Sequence, residues 1–524
     1  MAQVQTTLGA IQGIHSKGVY QFRGIPYAEP VTGSFRFQPP RPKQPWSGVL
    51  SAQTYGACAP QELNQFTGIS DISEDCLSLN IQTCGLDGQK RPVMVWLHGG
   101  GFQTGSSSQV IYDGIKLVQR GDIVFVGINY RLGILGFGYL ARLFDDDRFT
   151  ANNGLRDQIL ALQWVRENIE RFGGDPNNIT VFGESAGAMA IGCLLAAPAA
   201  KGLFQQAIIQ SGSADHVVSP DDAHCVSKAW MDEMLLSDGI YKPEDIFECD
   251  LDLLVRASRK TAHVSVARGL RSSTPQTGMN MLPVVDGDVL TAHPLKAITD
   301  GASKHIRLLA GTTAQEWNLF VYSPFFNGGQ DPQKFLNIDE PKLQRMVERV
   351  LPHGAAAQAI ELYRPLVANR PMGLCDVFAA IETDRMFGVP TQQLLSAQAV
   401  HQRHTYHYLL EYQCPHFGGM LGACHAVDIP FVFGGLDHSF GKMFTDGGPE
   451  AIQLSERIMD AWLAFAKSGD PSTATLPWKQ YCSEDPAGMI LDHICYQTQV
   501  DSQFPLDFWR PIITLENQTK ALTI

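Results

Sequence analysis

The rhythm of hydrophobic and polar positions changes most sharply over residues 178–197, NITVFGESAGAMAIGCLLAA. Ile179, Val181 and Phe182 are strand formers in an apolar run, whereas 186–197 is small, apolar and rich in helix formers. The pattern predicts a buried strand that turns into a helix within Gly183-Glu184-Ser185-Ala186-Gly187. Further strands are expected at 92–97, 122–130 and 205–210. Between them, residues 155–172 place Leu155, Ile159, Leu162, Val165, Ile169 and Phe172 on one helical stripe, which Gly173 and Gly174 stop. Apolar strands alternating with helices over a hundred or so residues predict an α/β fold, a large and mostly parallel central sheet with helices on both faces.

Outside that stretch the rhythm is looser. Residues 12–22 alternate, and Gly24, Pro26, Pro30, Pro39, Pro40, Pro42 and Pro45 then predict short strands and an extended loop with no helix. Strands return at 306–310 and 405–411, and 454–466 reads as an amphipathic helix packed on the sheet. Residues 215–302 and 318–401 have no strand–helix rhythm and are read as helical insertions. Length alone would suggest two or three units in 524 residues. The absence of repeats and low-complexity linkers favours one catalytic domain over 1–524.

Composition narrows the function. A hydrophobic content of 44% and a charged content of 18% describe a globular protein with ample core. The net charge of −13, without any Lys/Arg run, argues against a nucleic-acid partner. No apolar window approaches the roughly 20 residues that cross a bilayer, so no membrane partner is expected. The first residues lack a basic start followed by an apolar core, so a cytoplasmic location is expected unless a secretory signal has been removed. Eleven scattered cysteines with no CxxC pair read as mostly reduced and buried rather than as a disulfide framework.

Gly183 to Gly187 form G-x-S-x-G, in which a serine on a sharp strand-to-helix turn is flanked by residues small enough to let the chains pass. Ser185 is the candidate nucleophile. Its oxyanion donors would be Gly100 and Gly101, from the glycine triplet after strand 92–97, together with Ala186. A base is expected late in the chain, where His401, His404, His407, His416, His425, His438 and His493 all qualify by position. His425 is favoured because small residues precede it and a Pro-bounded apolar run follows. For the acid, Glu316 closely follows strand 306–310, whereas Asp286 and Asp288 sit on a turn and Glu382 and Asp384 in a helical stretch. Tyr406 and Tyr408 interleave the 401–407 histidines at a strand start and no HExxH exists, so neither a metal nor a cofactor is expected.

The segments FRGIPYAEP (22–30), FRFQPP (35–40), SEDCLSLN (73–80), VWLHGGGF (95–102), NYRLGILGF (129–137), 154–188 and GACHAVDIPFVFG (422–434) run in order along nearly the whole chain. Together they resemble the type-B carboxylesterase/lipase family of the α/β-hydrolase superfamily, which includes bacterial para-nitrobenzyl esterases and cholinesterases. The resemblance implies Ser185 as nucleophile, Glu316 as acid, His425 as base, and Gly100, Gly101 and Ala186 as the oxyanion hole. Trp317 stands where the family often has glycine. The resemblance also implies two structural ion pairs, Arg36 with Glu74 and Arg131 with Asp157. It matches Cys58 and Cys76 to the family's first disulfide, which a reducing cytoplasm would oppose, so the bridge stays open. No tryptophan lies between these cysteines, and a choline ester is therefore not the favoured substrate. Glu184 could tune the site electrostatically or merely hydrogen-bond behind the serine.

These readings converge on a serine carboxylesterase acting on small-molecule esters, with short- to medium-chain acyl or aryl groups favoured, through an acyl-enzyme. A lipase or amidase on the same residues is the alternative within enzymes. A non-catalytic binding protein of the same fold would typically have lost the nucleophile.

Overall fold

The computed structural model describes residues 2–63, 68–238, 242–261, 279–326, 336–352, 354–500 and 504–521. Parts of both expected insertions, 262–278 and 327–335, lie outside the described residues. The strands are β1 (Ala2–Gln5), β2 (Ala10–Ser16), β3 (Val19–Pro26), β4 (Val49–Ser51), β5 (Ser78–Thr83), β6 (Arg91–Leu97), β7 (Val124–Ile128), β8 (Gly174–Glu184), β9 (Gln206–Gln210), β10 (Arg307–Thr313), β11 (Thr405–Leu410), β12 (Ala487–Leu491) and β13 (Tyr496–Gln499). They form one sheet in the order β1-β2-β3-β5-β7-β6-β8-β9-β10-β11-β12-β13, with β4 on β2. From β7 to β12 every pair is parallel. The margins are antiparallel, along β1-β2-β3-β5-β7 on one side and at β12–β13 on the other, except that β4 pairs with β2 in parallel.

Strand side chains alternate between faces, and here both faces are apolar. Val93, Val95 and Leu97 of β6 join Ile179 and Val181 of β8 in one buried cluster with the helices Asn153–Asn168 and Ala186–Ala196. Met94, Trp96, Phe182, Ile208 and Leu309 face the other way, onto Leu454, Ile458, Trp462 and Phe465 of the helix Pro449–Ser468. The continuous apolar runs of the central strands are thus the mark of a sheet covered on both sides. The helix expected at 155–172 is an α-helix to Asn168 that tightens into a 3₁₀ turn, Ile169–Phe172, before Gly173 in the left-handed region. In the Pro-rich first fifty residues the helical content is a single 3₁₀ turn, Gly33–Phe35.

Three strands, β5, β12 and β13, have no counterpart among those expected from the sequence. β5, SLNIQT, is buried along its whole length although four of its six side chains are polar. Asn80 Nδ2 donates to Ser107 Oγ at 3.0 Å, Asn80 Oδ1 accepts the Gly24 N–H at 2.9 Å, and Gln82 Nε2 donates to Asp113 at 2.8 Å. Most of these partners are distant in sequence, so nothing local shows that the polar side chains are satisfied in the interior.

Two buried arginines fasten the loops to this frame. Arg131 makes a bidentate pair with Asp157 at 2.7 and 2.8 Å, both side chains essentially inaccessible, and donates to Gln38 O at 2.7 Å. Arg36 pairs with Glu74 at 2.5 and 3.0 Å and reaches Ile246 O and Cys249 O at 2.7 and 2.9 Å. Cys58 and Cys76 are free thiols; Cys58 contacts Ser108 Oγ at 3.6 Å. No helix among the described residues is long and apolar enough to cross a membrane.

Removing one partner of a buried pair leaves the other charge without compensation. Asp157→Asn should therefore destabilise the fold by about 3–5 kcal/mol, read as a lowered denaturant midpoint; an unchanged midpoint would mean that Arg131 is held by its carbonyl partners alone.

Candidate active site

The predicted residues gather at the carboxyl ends of β6, β8 and β10 and on the loop after β11, where parallel sheets bind ligands. β8 ends in the turn at Ser185, whose backbone has φ 55° and ψ −126°. That conformation is costly for a residue with a side chain. It is held by the Ser185 N–H on Gln210 O and the Met189 N–H on Ser185 O, both at 2.9 Å. The flanking glycines are there for space. A Cβ at Gly187 would lie 2.0 Å from Leu97 O, and one at Gly183 would lie 2.7 Å from the same oxygen.

β6 runs into His98, which is buried, stacks on Tyr130 with ring centroids 4.5 Å apart, and accepts the Tyr130 hydroxyl on its carbonyl at 2.6 Å. Burial pushes its imidazole down to about 4, so it is an uncharged anchor for the loop that follows. Gly100 and Gly101 then take φ of 112° and 63°. A Cβ at Gly100 would strike Thr104 O at 2.2 Å, whereas one at Gly101 would meet the Met279 side chain at 3.2 Å. Gly99 packs so close to the elbow that its Cβ would sit 3.1 Å from Ser185 Cβ. The N–H groups of Gly100 and Gly101 find no protein acceptor among the described residues. Ala186, the first residue of its helix, contributes one of the amides that helical bonding leaves open.

Glu316 stands three residues past the end of β10 and is fully buried. One carboxylate oxygen accepts the Thr313 N–H at 2.7 Å, and the other faces His425 Nδ1 at 2.6 Å. The turn and the histidine loop are tied again by His425 N–H on Glu316 O at 3.2 Å, Ala423 N–H on Gln315 Oε1 at 2.6 Å, and Asn318 Nδ2 on Met420 O at 3.0 Å. Phe320 and Phe387 flank the imidazole with centroids at 5.1 and 4.9 Å.

No hydrogen bond joins Ser185 Oγ to His425. The other ring nitrogen, Nε2, lies 3.1 Å from Glu184 Oε1, off the line of a good hydrogen bond. Burial opposes charge on His425, but the carboxylates of Glu184 and Glu316 and the Glu316 hydrogen bond outweigh it and raise the imidazole to about 9. Burial likewise pushes Glu184 up to about 8, with His425 pulling the other way. Each group thus favours the charged form of the other by proximity, with no hydrogen bond between them. Behind it, Asp428 accepts from Gln210 Nε2 at 2.7 Å, and burial pushes its carboxyl up to about 6.

The rival residues are engaged elsewhere. Asp288 pairs with Arg156 at 2.6 Å, Asp286 accepts two amides of its own turn, and Glu382 is clamped by Arg385 at 2.6 and 2.8 Å. Asp384 accepts the Tyr363 hydroxyl. His401 and His416 bond backbone carbonyls at 2.8 and 3.1 Å, and His493 lies 3.3 Å from Glu450. His407 is buried beside Gln392, its pKa lowered to about 3 by burial. Phe320, Phe387 and Asp428 were not singled out from the sequence. Asp428 alone left a signal, an acidic residue inside the apolar run after His425.

The carboxylesterase family model matches residues 1–506. This chain belongs to the carboxylesterase family. It is 37% identical to the para-nitrobenzyl esterase of Bacillus subtilis over 496 residues, covering 93% of this chain and 94% of that one. It is 34% identical to a phenmedipham hydrolase of Pseudarthrobacter oxydans, covering 93% and 94%, and 32% identical to an acylcarnitine hydrolase of Mus musculus, covering 93% and 87%. A solved PNB esterase superposes with a TM-score of 0.82 at 35% identity, covering 97% of this chain and 99% of that one. A Geobacillus stearothermophilus carboxylesterase superposes with a TM-score of 0.82 at 34% identity, covering 95% and 98%. The fold is that of the α/β-hydrolases, and the chain is a carboxylic ester hydrolase.

Glu184 raises the pKa of His425, so replacing it by neutral Gln removes a charge that favours the imidazolium. Glu184→Gln should move the acid limb of the kcat/KM–pH profile of this carboxylesterase to lower pH by about one unit or more. A limb that stays in place would mean that Glu316 alone sets the histidine.

Proposed function

We propose that Ser185, His425 and Glu316 are the catalytic triad of this esterase, with Gly100, Gly101 and Ala186 as its oxyanion hole. The observation that carries the reading is the 2.6 Å contact of Glu316 with His425 Nδ1, made beside the strained serine turn. In the reaction, Ser185 Oγ attacks the ester carbonyl carbon and its proton passes to His425 Nε2. The carbonyl oxygen takes up the negative charge between the three N–H groups. As the tetrahedral intermediate collapses, His425 returns the proton to the departing alcohol, leaving the acyl group on Ser185. A water molecule, deprotonated by His425, then attacks the acyl carbon; as this second tetrahedral intermediate collapses, the acyl–Oγ bond breaks, His425 returns the proton to Ser185 Oγ, and the acid is released. Glu316 accepts the Nδ1–H hydrogen bond throughout without taking the proton, which fixes the tautomer and stabilises the imidazolium. The missing Ser185–His425 hydrogen bond suits a resting enzyme, because such contacts often align only around a substrate.

The cavity beside the oxyanion loop supports small acyl or alcohol groups. It measures about 230 Å³ and is lined by Gly100, Gly101, Leu132, Leu135, Leu254 and Ser258, with the Arg259–Glu62 pair at its rim. That is below the usual range for a drug-sized ligand of about 300–1,000 Å³. The relatives are named for different compounds and share hydrolysis, in keeping with one triad under varied walls. On this reading the chain works as one catalytic unit, with 215–302 and 318–401 supplying walls and supports.

Ser185→Ala should abolish ester hydrolysis in a protein that folds normally, and a tenth of the activity retained would sink the assignment. Glu316→Gln should lower kcat by about three to four orders of magnitude, whereas Asp286→Asn should cost little. Among para-nitrophenyl esters, turnover should peak between acetate and hexanoate. A maximum at palmitate that appears only above the solubility limit would instead indicate a lipase.

A further inference from the structure

The helical stretch after the Glu316 turn is irregular at one point. The α-helices Leu374–Thr383 and Val389–Ala399 are joined by a single π-helical turn, Asp384–Gly388. Such turns insert one residue into the hydrogen-bond ladder and cluster at functional sites. In an unbroken α-helix, positions four apart drift around the axis by about 40° per step, so Thr383, Phe387 and Thr391 would fan out over about 80°. One inserted residue turns the later half back by about 100°, which brings Thr391 to within about 20° of Thr383, with Phe387 inside the turn between them.

Each of these three side chains touches a different part of the active site. Thr383 Oγ1 accepts the N–H of Trp317, the residue after Glu316, at 3.0 Å. Phe387 lies against the His425 imidazole with centroids 4.9 Å apart. Thr391 Oγ1 donates at 3.1 Å to Gly212 O, on the strand end behind the Ser185 turn. Gly212 is itself packed on the elbow helix, where its Cβ would lie 2.5 Å from that of Ala188.

The π-turn is fastened from outside the site. Arg385 and Glu382 form a bidentate pair at 2.6 and 2.8 Å with neither side chain accessible. Asp384 accepts the hydroxyl of Tyr363, and that hydroxyl accepts Trp509 Nε1–H at 2.8 Å. Trp509 belongs to the last helix, Leu506–Ala521, so the chain's final segment is bonded to the turn that holds Phe387.

We propose that the π-turn is a positioning element: Thr383, Phe387 and Thr391 hold acid, base and elbow in one register, with Phe387 and Thr383 as positioning residues for His425 and Glu316. The Trp509–Tyr363–Asp384 chain sets the turn. An imidazole gripped between Glu316 and two aromatic rings keeps one rotamer, and Phe387 is the ring that the irregular turn supplies. The proposal rests on the triad assigned above.

The test uses the full-length enzyme with para-nitrophenyl acetate, whose small acyl group depends least on pocket walls. Phe387→Ala and Thr383→Val should lower kcat about tenfold or more with KM within about twofold, since small misplacements of reacting groups are costly. The downfield proton NMR signal of His425 Nδ1–H should broaden in both. Tyr363→Phe, which touches none of the three contacts, should lower kcat in the same sense by a few-fold; if Phe387→Ala fails to fold, Thr383→Val and Tyr363→Phe decide. Wild-type kcat with a sharp Nδ1 proton, and only a lowered Tm, would overturn the proposal. So would a loss confined to KM that grows with acyl length, which would make Phe387 a wall. His425→Ala separates the levels: inactive His425→Ala with fully active Phe387→Ala sinks the positioning role alone, whereas an active His425→Ala sinks the triad and the proposal with it.

Discussion

The structure depends on how closely the elbow helix crosses the end of β6. With a Cβ at Gly187 only 2.0 Å from Leu97 O, no side chain is tolerated there. The same contact brings the glycine loop of residues 99–101 up against Ser185. Strand β6 therefore supplies both the surface that crowds the serine turn and the glycine loop that packs beside it. The helices on one face and Pro449–Ser468 on the other press the two strands together, so the strained turn is over-determined by packing on both sides.

Electrostatics set the second constraint. Glu184, Glu316 and Asp428 are all buried around one histidine, and burial raises the pKa of Glu184 and of Asp428. A buried carboxylate is tolerable only where protons or donors compensate it. Thr313 and His425 do this for Glu316, Gln210 does it for Asp428, and the nearby His425 offsets part of the burial of Glu184. The arrangement leaves His425 basic enough to take a proton from a serine and keeps its Nδ1 side fixed.

The parts of this site that were legible in the sequence are those where local chemistry leaves one solution. G-x-S-x-G at a strand–helix junction and a glycine triplet after an apolar strand are such cases, and both stand where expected. Glu316 was less distinct because its only local mark is its place after β10. The four rival carboxylates are engaged by other partners, Arg156, the 286–290 turn, Arg385 and Tyr363, and this shows only in the fold. β5 was missed because its polar side chains are satisfied by residues far along the chain. The π-turn left no trace in the pattern, since a one-residue insertion in a helix alters no composition and shifts the apolar stripe by less than a turn. Phe387 accordingly read as ordinary core.

The central claim is that the reaction passes through an ester of Ser185. Rapid quenching of the enzyme with a slowly hydrolysed ester, followed by proteolysis and mass spectrometry, tests it directly. One acyl group per chain should accumulate within the first turnover on the peptide that carries Gly183–Gly187, bound to Ser185. Acylation of a different side chain, or full turnover with no covalent adduct at any quench time, would contradict it.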